Sequence, residues 1–194
     1  MPRRYTELVF TDDVRDAQRD QGVRESARRM ELVDVEDTRL DEATALFIAQ
    51  RDSFYMATVL ENGWPYLQHR GGPRGFLQVL DDRTLAFADF AGNRQLVTTG
   101  NLRGDDRTAL FLMDYPDRRR LKVMARTEVH RAPDRPRLVA GLFQRSSDPP
   151  DRIRCDRTNV THPGSTAPPF TFTISPVMCR ASSEQRKTIG PATS

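Results

Sequence analysis

The sequence predicts a mainly β domain with peripheral helices, a barrel or a sandwich, and three observations predict it. Six runs of strand length lie between residues 53 and 130, separated by turn signals at the regular spacing of an all-β fold. Helical periodicity is confined to the residues before them and to two short interruptions. The composition then changes abruptly near residue 144, which sets a folded body of residues 1–144 apart from an atypical segment, 145–194.

The elements follow in order. Thr11 precedes a charged stretch, residues 12–31, in which Val14, Ala17, Val23, Ala27 and Met30 recur at helical spacing; Thr11 is its N-cap and Gly22 weakens it midway. Asp41 caps a second helix over residues 42–50, with Ala45, Leu46, Ile48 and Ala49 as its apolar face. The first strand is SFYMATVL, 53–60, and the turn Glu61-Asn62-Gly63 returns the chain into PYLQHR, 65–70. Gly71-Gly72-Pro73 breaks that strand. GFLQVL, 75–80, and TLAFADF, 84–90, pair across Asp81-Asp82-Arg83. A short helix is expected over 93–102, then the apolar run TALFLMDY, 108–115, and the alternating run LKVMARTEVH, 121–130. A last short helix is expected over 135–143, and Trp64, after a turn glycine, reads as a packing residue.

Residues 145–194 hold seven of the 13 prolines, and Ser, Thr and Pro fill 21 of these 50 positions. Apart from FTFTI, 170–174, nothing there has strand or helix periodicity. Such a composition buries too little apolar surface to offset chain entropy, so disorder is expected.

Charge and composition narrow the function. The net charge of +3 resides wholly in residues 145–194, and the body is neutral, so nucleic acid is not an expected partner. No run reaches the ~20 apolar residues of a membrane span, and the N-terminus lacks the apolar core of a signal peptide, so no membrane role and a cytoplasmic location are expected. Cys155 and Cys179 form no CxxC pair, and the three histidines are scattered, so no metal site is expected.

Three stretches carry chemical potential. In Gln68-His69-Arg70-Gly71-Gly72-Pro73 a strand ends in an arginine and runs into a double glycine, a sequence able to form an anion-binding nest. Arg70 could add a bidentate contact to a phosphate. In Asp89-Phe90-Ala91-Gly92-Asn93-Arg94-Gln95 a strand gives way to a helix, with Asn93, Arg94 and Gln95 in its first turn, where an anion is favoured. Taken alone, each is also an ordinary turn or cap. The third, Asp117-Arg118-Arg119-Arg120, reads as a solvated hairpin loop.

The order of these motifs strengthens the reading. GWPYLQHRGGPRGFLQVLDDRTLAFADFAGNRQ, then GNL, then LFLMDYPDRRRLKV resembles the pyridoxamine 5′-phosphate oxidase-like group of FMN-binding split-barrel proteins, in its largely uncharacterised bacterial branch. The leader FTDDVRDAQRDQGVRESARRME is similar to that branch as well. The resemblance covers about residues 8–144. It implies a six-stranded split β-barrel, a homodimer and FMN at the dimer interface. It places Gln68, His69, Arg70 and Gly71 on the strand lining the flavin. It assigns Asn93, Arg94 and Gln95 to the phosphate, with Asp89 and Phe90 leading in and Asn101 nearby. Two departures stand out. Lys122-Val123-Met124-Ala125 ends in alanine where the family commonly has glycine, and the family's additional C-terminal strand has no counterpart in the pattern beyond residue 144.

These readings point to a flavin-dependent oxidoreductase acting on a small-molecule substrate. The protein would supply binding and orientation, the isoalloxazine the redox chemistry. No residue is marked as a catalytic acid or base. The alternatives are a non-catalytic flavin carrier or sensor, or the same barrel holding a deazaflavin or a haem, for which His69 is the histidine near the candidate pocket.

Overall fold

The computed structural model describes residues 5–32, 38–89, 95–144 and 170–183. The N-terminal charged stretch is not one helix. After α1 (Tyr5–Val9) it forms α2 (Asp12–Asp20) and α3 (Arg24–Leu32), which fold against each other. Gly22, at φ +67°, makes the corner between them. Thr11 caps α2 as expected, accepting from the Val14 amide at 3.4 Å.

Helix α4 (Glu42–Ala49) begins at Asp41, whose carboxylate accepts from the Thr44 amide at 2.8 Å. Its buried face is Phe47 and Ile48, whereas Leu46 and Ala49 are exposed, so the apolar stripe is narrower than the composition suggests. Six strands then follow where six are expected: β1 (Ser53–Val59), β2 (Pro65–Gly71), β3 (Gln78–Asp81), β4 (Thr84–Asp89), β5 (Arg107–Asp114) and β6 (Arg119–Arg131). Gly63, at φ +85°, forms the β1–β2 turn, and Trp64 beside it is 71% exposed, not packed. β3 is shorter than its apolar run because Gly75 and Phe76 belong to a turn closed by the Phe76 amide on the Pro73 carbonyl. α5 (Val97–Gly104) and α6 (Pro136–Gln144) interrupt and follow the strands.

A seventh strand corrects the sequence reading. β7 (Phe170–Ser183), within the stretch expected to be disordered, pairs antiparallel with both β6 and β4. It takes in FTFTI, 170–174, which is paired on both edges, while the rest of the strand pairs with β6 alone. Composition counts side chains, and it could not register this backbone pairing. The remainder of 145–194 lies outside the described residues.

The sheet runs β2-β1-β5-β6-β7-β4-β3. It is not closed by hydrogen bonds, yet it curls. Phe54 of β1 packs edge-on against Phe87 of β4 at 5.2 Å and stacks on Phe76 at 5.5 Å. Arg70 of β2 pairs with Asp89 of β4, although β1, β5, β6 and β7 lie between those strands in the sheet. Such contacts are possible only if the two ends of the sheet approach each other, leaving a barrel split between β2 and β3. Its interior holds Phe54, Met56, Phe87, Leu110, Leu112, Leu121 and Val123, all at most 1% exposed. Ala125 lies in β6 beside a bulge in its pairing with β7, and its φ is not positive, so alanine serves where the family commonly has glycine.

Candidate functional site

Alternation along β2 sorts the predicted site residues. Gln68 and Arg70 point toward the barrel interior and His69 points outward, as the half-buried and exposed positions alternate. In register, Arg70 lies opposite Phe54 and Gln68 opposite Met56, whereas His69 lies opposite Tyr55. His69 packs edge-on against the Tyr55 ring at 5.4 Å. A ligand touching Gln68 and Arg70 from within one chain therefore does not reach His69.

The inward side carries a polar chain. Thr98 Oγ1, on α5, donates to Gln68 Oε1 at 2.9 Å. One turn on, Asn101 Nδ2 donates to Thr58 Oγ1, also at 2.9 Å. Thr58 and Thr98 are each 2% exposed, so their hydrogen bonds are needed to offset burial. These threonines were missed in the sequence. The available signal was a polar residue on the buried parity of β1, facing a Thr-x-x-Asn spacing on a helix.

Arg70 and Asp89 close this side of the site. Their side chains form an ion pair, each 12% exposed. Burial raises the Asp89 carboxyl above the usual carboxylate range, and the Arg70 guanidinium draws it back only in part. The site therefore contains a guanidinium, largely shielded from water, that already binds an anion.

The double glycine forms the ordinary turn that was the other reading of this stretch, not an anion-binding nest. The Gly72 amide donates to the Asp52 carbonyl at 2.9 Å, and Gly71 is the last residue of β2, opposite Ser53. The loop is tied to the α4–β1 turn, and Gly75 adds a second tie from its amide to the Arg51 carbonyl at 3.1 Å. Phe90, Asn93 and Arg94 lie outside the described residues. The expected helix over 93–102 starts later, at Val97, with Leu96 left-handed at φ 55°, so Gln95 precedes the helix instead of lying in its first turn. Of the four residues expected in a solvated β5–β6 loop, Asp117 and Arg118 lie exposed in it, whereas Arg119 and Arg120 open β6, Arg119 exposed and Arg120 half-buried. His130, for which no partner was expected, lies 3.5 Å from the Glu128 carboxylate.

A second buried ion pair braces the scaffold beside the site. Arg51 meets Asp114 at 2.8 Å, donates to the Phe47 carbonyl at 3.2 Å and lies over the Phe47 ring at 4.6 Å. It ties α4 to the end of β5. Among the described residues no helix is long and apolar enough to cross a membrane.

The family profile described as pyridoxamine 5′-phosphate oxidase matches residues 40–154, more than half of the chain. No curated protein matches it. Among solved structures, the chain is similar to an FMN-binding protein of Syntrophomonas wolfei, at 13% identity over 88% of this chain and 98% of that one, TM-score 0.49. It is also similar to a pyridoxamine 5′-phosphate oxidase-related FMN-binding protein of Nostoc punctiforme, at 15% identity over 67% and 74% of the two chains, TM-score 0.47. A structure named F420 reductase is similar at 18% identity over 69% and 93%, TM-score 0.46. The profile match spans the strands that carry Gln68, Arg70 and Asp89.

Proposed function

The chain belongs to the pyridoxamine 5′-phosphate oxidase family, and from that premise we propose that it is an FMN-binding oxidoreductase that exchanges electrons or a hydride with a small substrate. One observation carries the choice of a phosphorylated cofactor. Arg70 is a shielded guanidinium that already holds a carboxylate, beside the half-buried amide of Gln68 and the buried hydroxyl of Thr98. That donor chemistry fits a phosphoryl group and a polar ring edge. When bound, FMN supplies the redox chemistry.

The chain's own residues bind and orient. Arg70 neutralises the phosphoryl charge, assisted by Arg94 and Asn93 from the segment that follows β4. The Gln68 amide, held by Thr98, offers a fixed polar contact. Asn101, held against Thr58, sets the helix that covers this side. A haem ligated by His69 is disfavoured, because His69 points away from the interior that Arg70 faces. The outward face of the sheet carries Tyr55, Leu67, Ala109, Phe111 and Met124 in neighbouring register, and this apolar surface is where a second copy would pack to form a homodimer.

The test compares FMN with riboflavin. A guanidinium–phosphate contact contributes about 1.5–3 kcal/mol, so Arg94→Ala should weaken FMN roughly 10- to 150-fold and leave riboflavin nearly unchanged. Arg70→Ala should behave likewise if the guanidinium meets the phosphate, and Arg118→Ala, in the exposed loop, should change neither. Fluorescence titration measures all three. A purified protein that is colourless and takes up no added FMN overturns the reading.

A further inference from the structure

We propose that Asp89 is the resident counter-anion of the Arg70 site: an entering phosphoryl group displaces its carboxylate from the guanidinium, and the displaced carboxyl takes up a proton from solvent. The inference rests on the reading that the phosphate of FMN reaches Arg70.

The geometry forces a choice on the arginine. Arg70 comes from the edge strand β2 and Asp89 from β4, the neighbour of the opposite edge strand, and they meet across the split of the barrel, each 12% exposed. A phosphate monoester brings about −1.5 to −2 charge at neutral pH. Placed on the same guanidinium, it would stand beside an ionised Asp89 in a site with little water to screen the two. Two anions sharing one cation at that range do not both stay fully ionised. The phosphoryl group, now holding the guanidinium, is kept ionised by it, and the carboxyl, which loses that contact and stays buried, takes the proton. Asp89 is already predisposed to do so, since burial outweighs the attraction of Arg70 and raises its carboxyl even before any ligand arrives. Removing the carboxylate from the guanidinium takes away the one attraction that opposes this.

The other charges on the packed elements leave that balance to Arg70. On β3, Asp81 lies opposite Thr84, at the far end of β4. On β7, Cys179 and Arg180 lie opposite Val123 and Lys122 of β6, beyond the part of β7 that pairs with β4. On α6, Arg137 is exposed. Among the described residues these are the ionisable groups carried by β3, β7 and α6, and Arg70 is the charged group identified as acting on Asp89.

The consequence is that the apparent affinity for FMN depends on pH. Binding tightens as pH falls through the interval between the free and the ligand-bound values of Asp89, by at most about tenfold per pH unit for one proton. The phosphate titrates near pH 6, and its contact with arginine releases protons, the opposite sign. The two contributions are therefore separable.

The experiment is calorimetry of FMN and riboflavin binding to the full chain between about pH 6 and 8, in pairs of buffers that differ in ionisation enthalpy. The parent protein should take up a fraction of a proton with FMN and none with riboflavin. Asp89→Asn should abolish the uptake, flatten the pH profile and bind FMN more tightly at pH 8. If Asp89→Asn does not fold, the FMN–riboflavin difference in the parent protein decides the matter. Equal uptake in parent and variant, or, at pH 8 where the phosphate is already dianionic, equal uptake with both flavins or FMN binding with no net uptake, overturns the proposal while the flavin reading stands. Failure of the parent to bind either flavin removes both.

Discussion

A Cβ placed on Gly72 would lie 2.6 Å from Cγ of Phe76 and 2.9 Å from its Cβ and Cδ2. The ring cannot yield easily, because it is wedged between Phe54 and Phe87 at 5.5 and 6.4 Å. Gly72→Ala should therefore destabilise the fold by roughly 1–3 kcal/mol, the usual cost of overpacking. Gly100 provides the contrast, since its added Cβ would meet nothing within 4 Å on helix α5. Gly100→Ala should be neutral or stabilising, by about 0.5–1 kcal/mol. Urea midpoints followed by circular dichroism measure both. Equal midpoints for the two variants would show that the contact between Gly72 and Phe76 is not a constraint. The same comparison accounts for Gly72, where the aromatic core leaves no room for a side chain.

Helix α4 is the element on which the β1 end of the site depends, because its C-terminal residues deliver Arg51 to Asp114. Its start is fixed by Asp41, whose carboxyl is held below the usual range by its hydrogen bond from the Thr44 side chain and then by that from the Thr44 amide. Asp41→Ala should cost about 1 kcal/mol at neutral pH, as N-cap deletions commonly do. The sign of the pH dependence follows from the lowered value. The carboxylate's contribution is present above its unfolded-state value and is lost as pH falls through the folded-state value, below about pH 4. The gap in urea midpoint between parent and variant should thus close on acidification. A gap that persists at pH 2 would assign the loss to helix propensity and not to the cap.

At the scale of the whole molecule the proposed dimer rests on the outward sheet face. Leu67 is 64% exposed on β2, opposite Ala57, and Tyr55 beside it links to Tyr115 through hydroxyls 3.4 Å apart. Burying such a surface against a second copy is the simplest way to remove it from water. The chain should be a dimer at micromolar concentration by light scattering. Leu67→Glu, at a position the isolated chain leaves exposed, should raise the dissociation constant at least about tenfold without changing the unfolding of the monomer. A parent protein that is monomeric with FMN bound would contradict the arrangement.

The strands between residues 53 and 130 were legible because period-two alternation and turn residues are local properties, and each of the six is found where its pattern lies. The family resemblance was legible for the same reason, in motifs carried by consecutive residues, and the matched profile, residues 40–154, covers those between the first strand and the β5–β6 hairpin. Even the separation of His69 from Gln68 and Arg70 was implicit in strand parity, though grouping the three as one lining obscured it. Other features belong to the tertiary structure alone. β7 is held by backbone hydrogen bonds from β6 and β4, which a Pro- and Ser-rich sequence does not announce. The Arg70–Asp89 pair exists only because the sheet curls until its ends meet. Curvature accumulates from strand twist and packing over the whole sheet. Residues 19 positions apart in sequence, and four intervening strands apart in the sheet, thus become one anion site only after the barrel has formed.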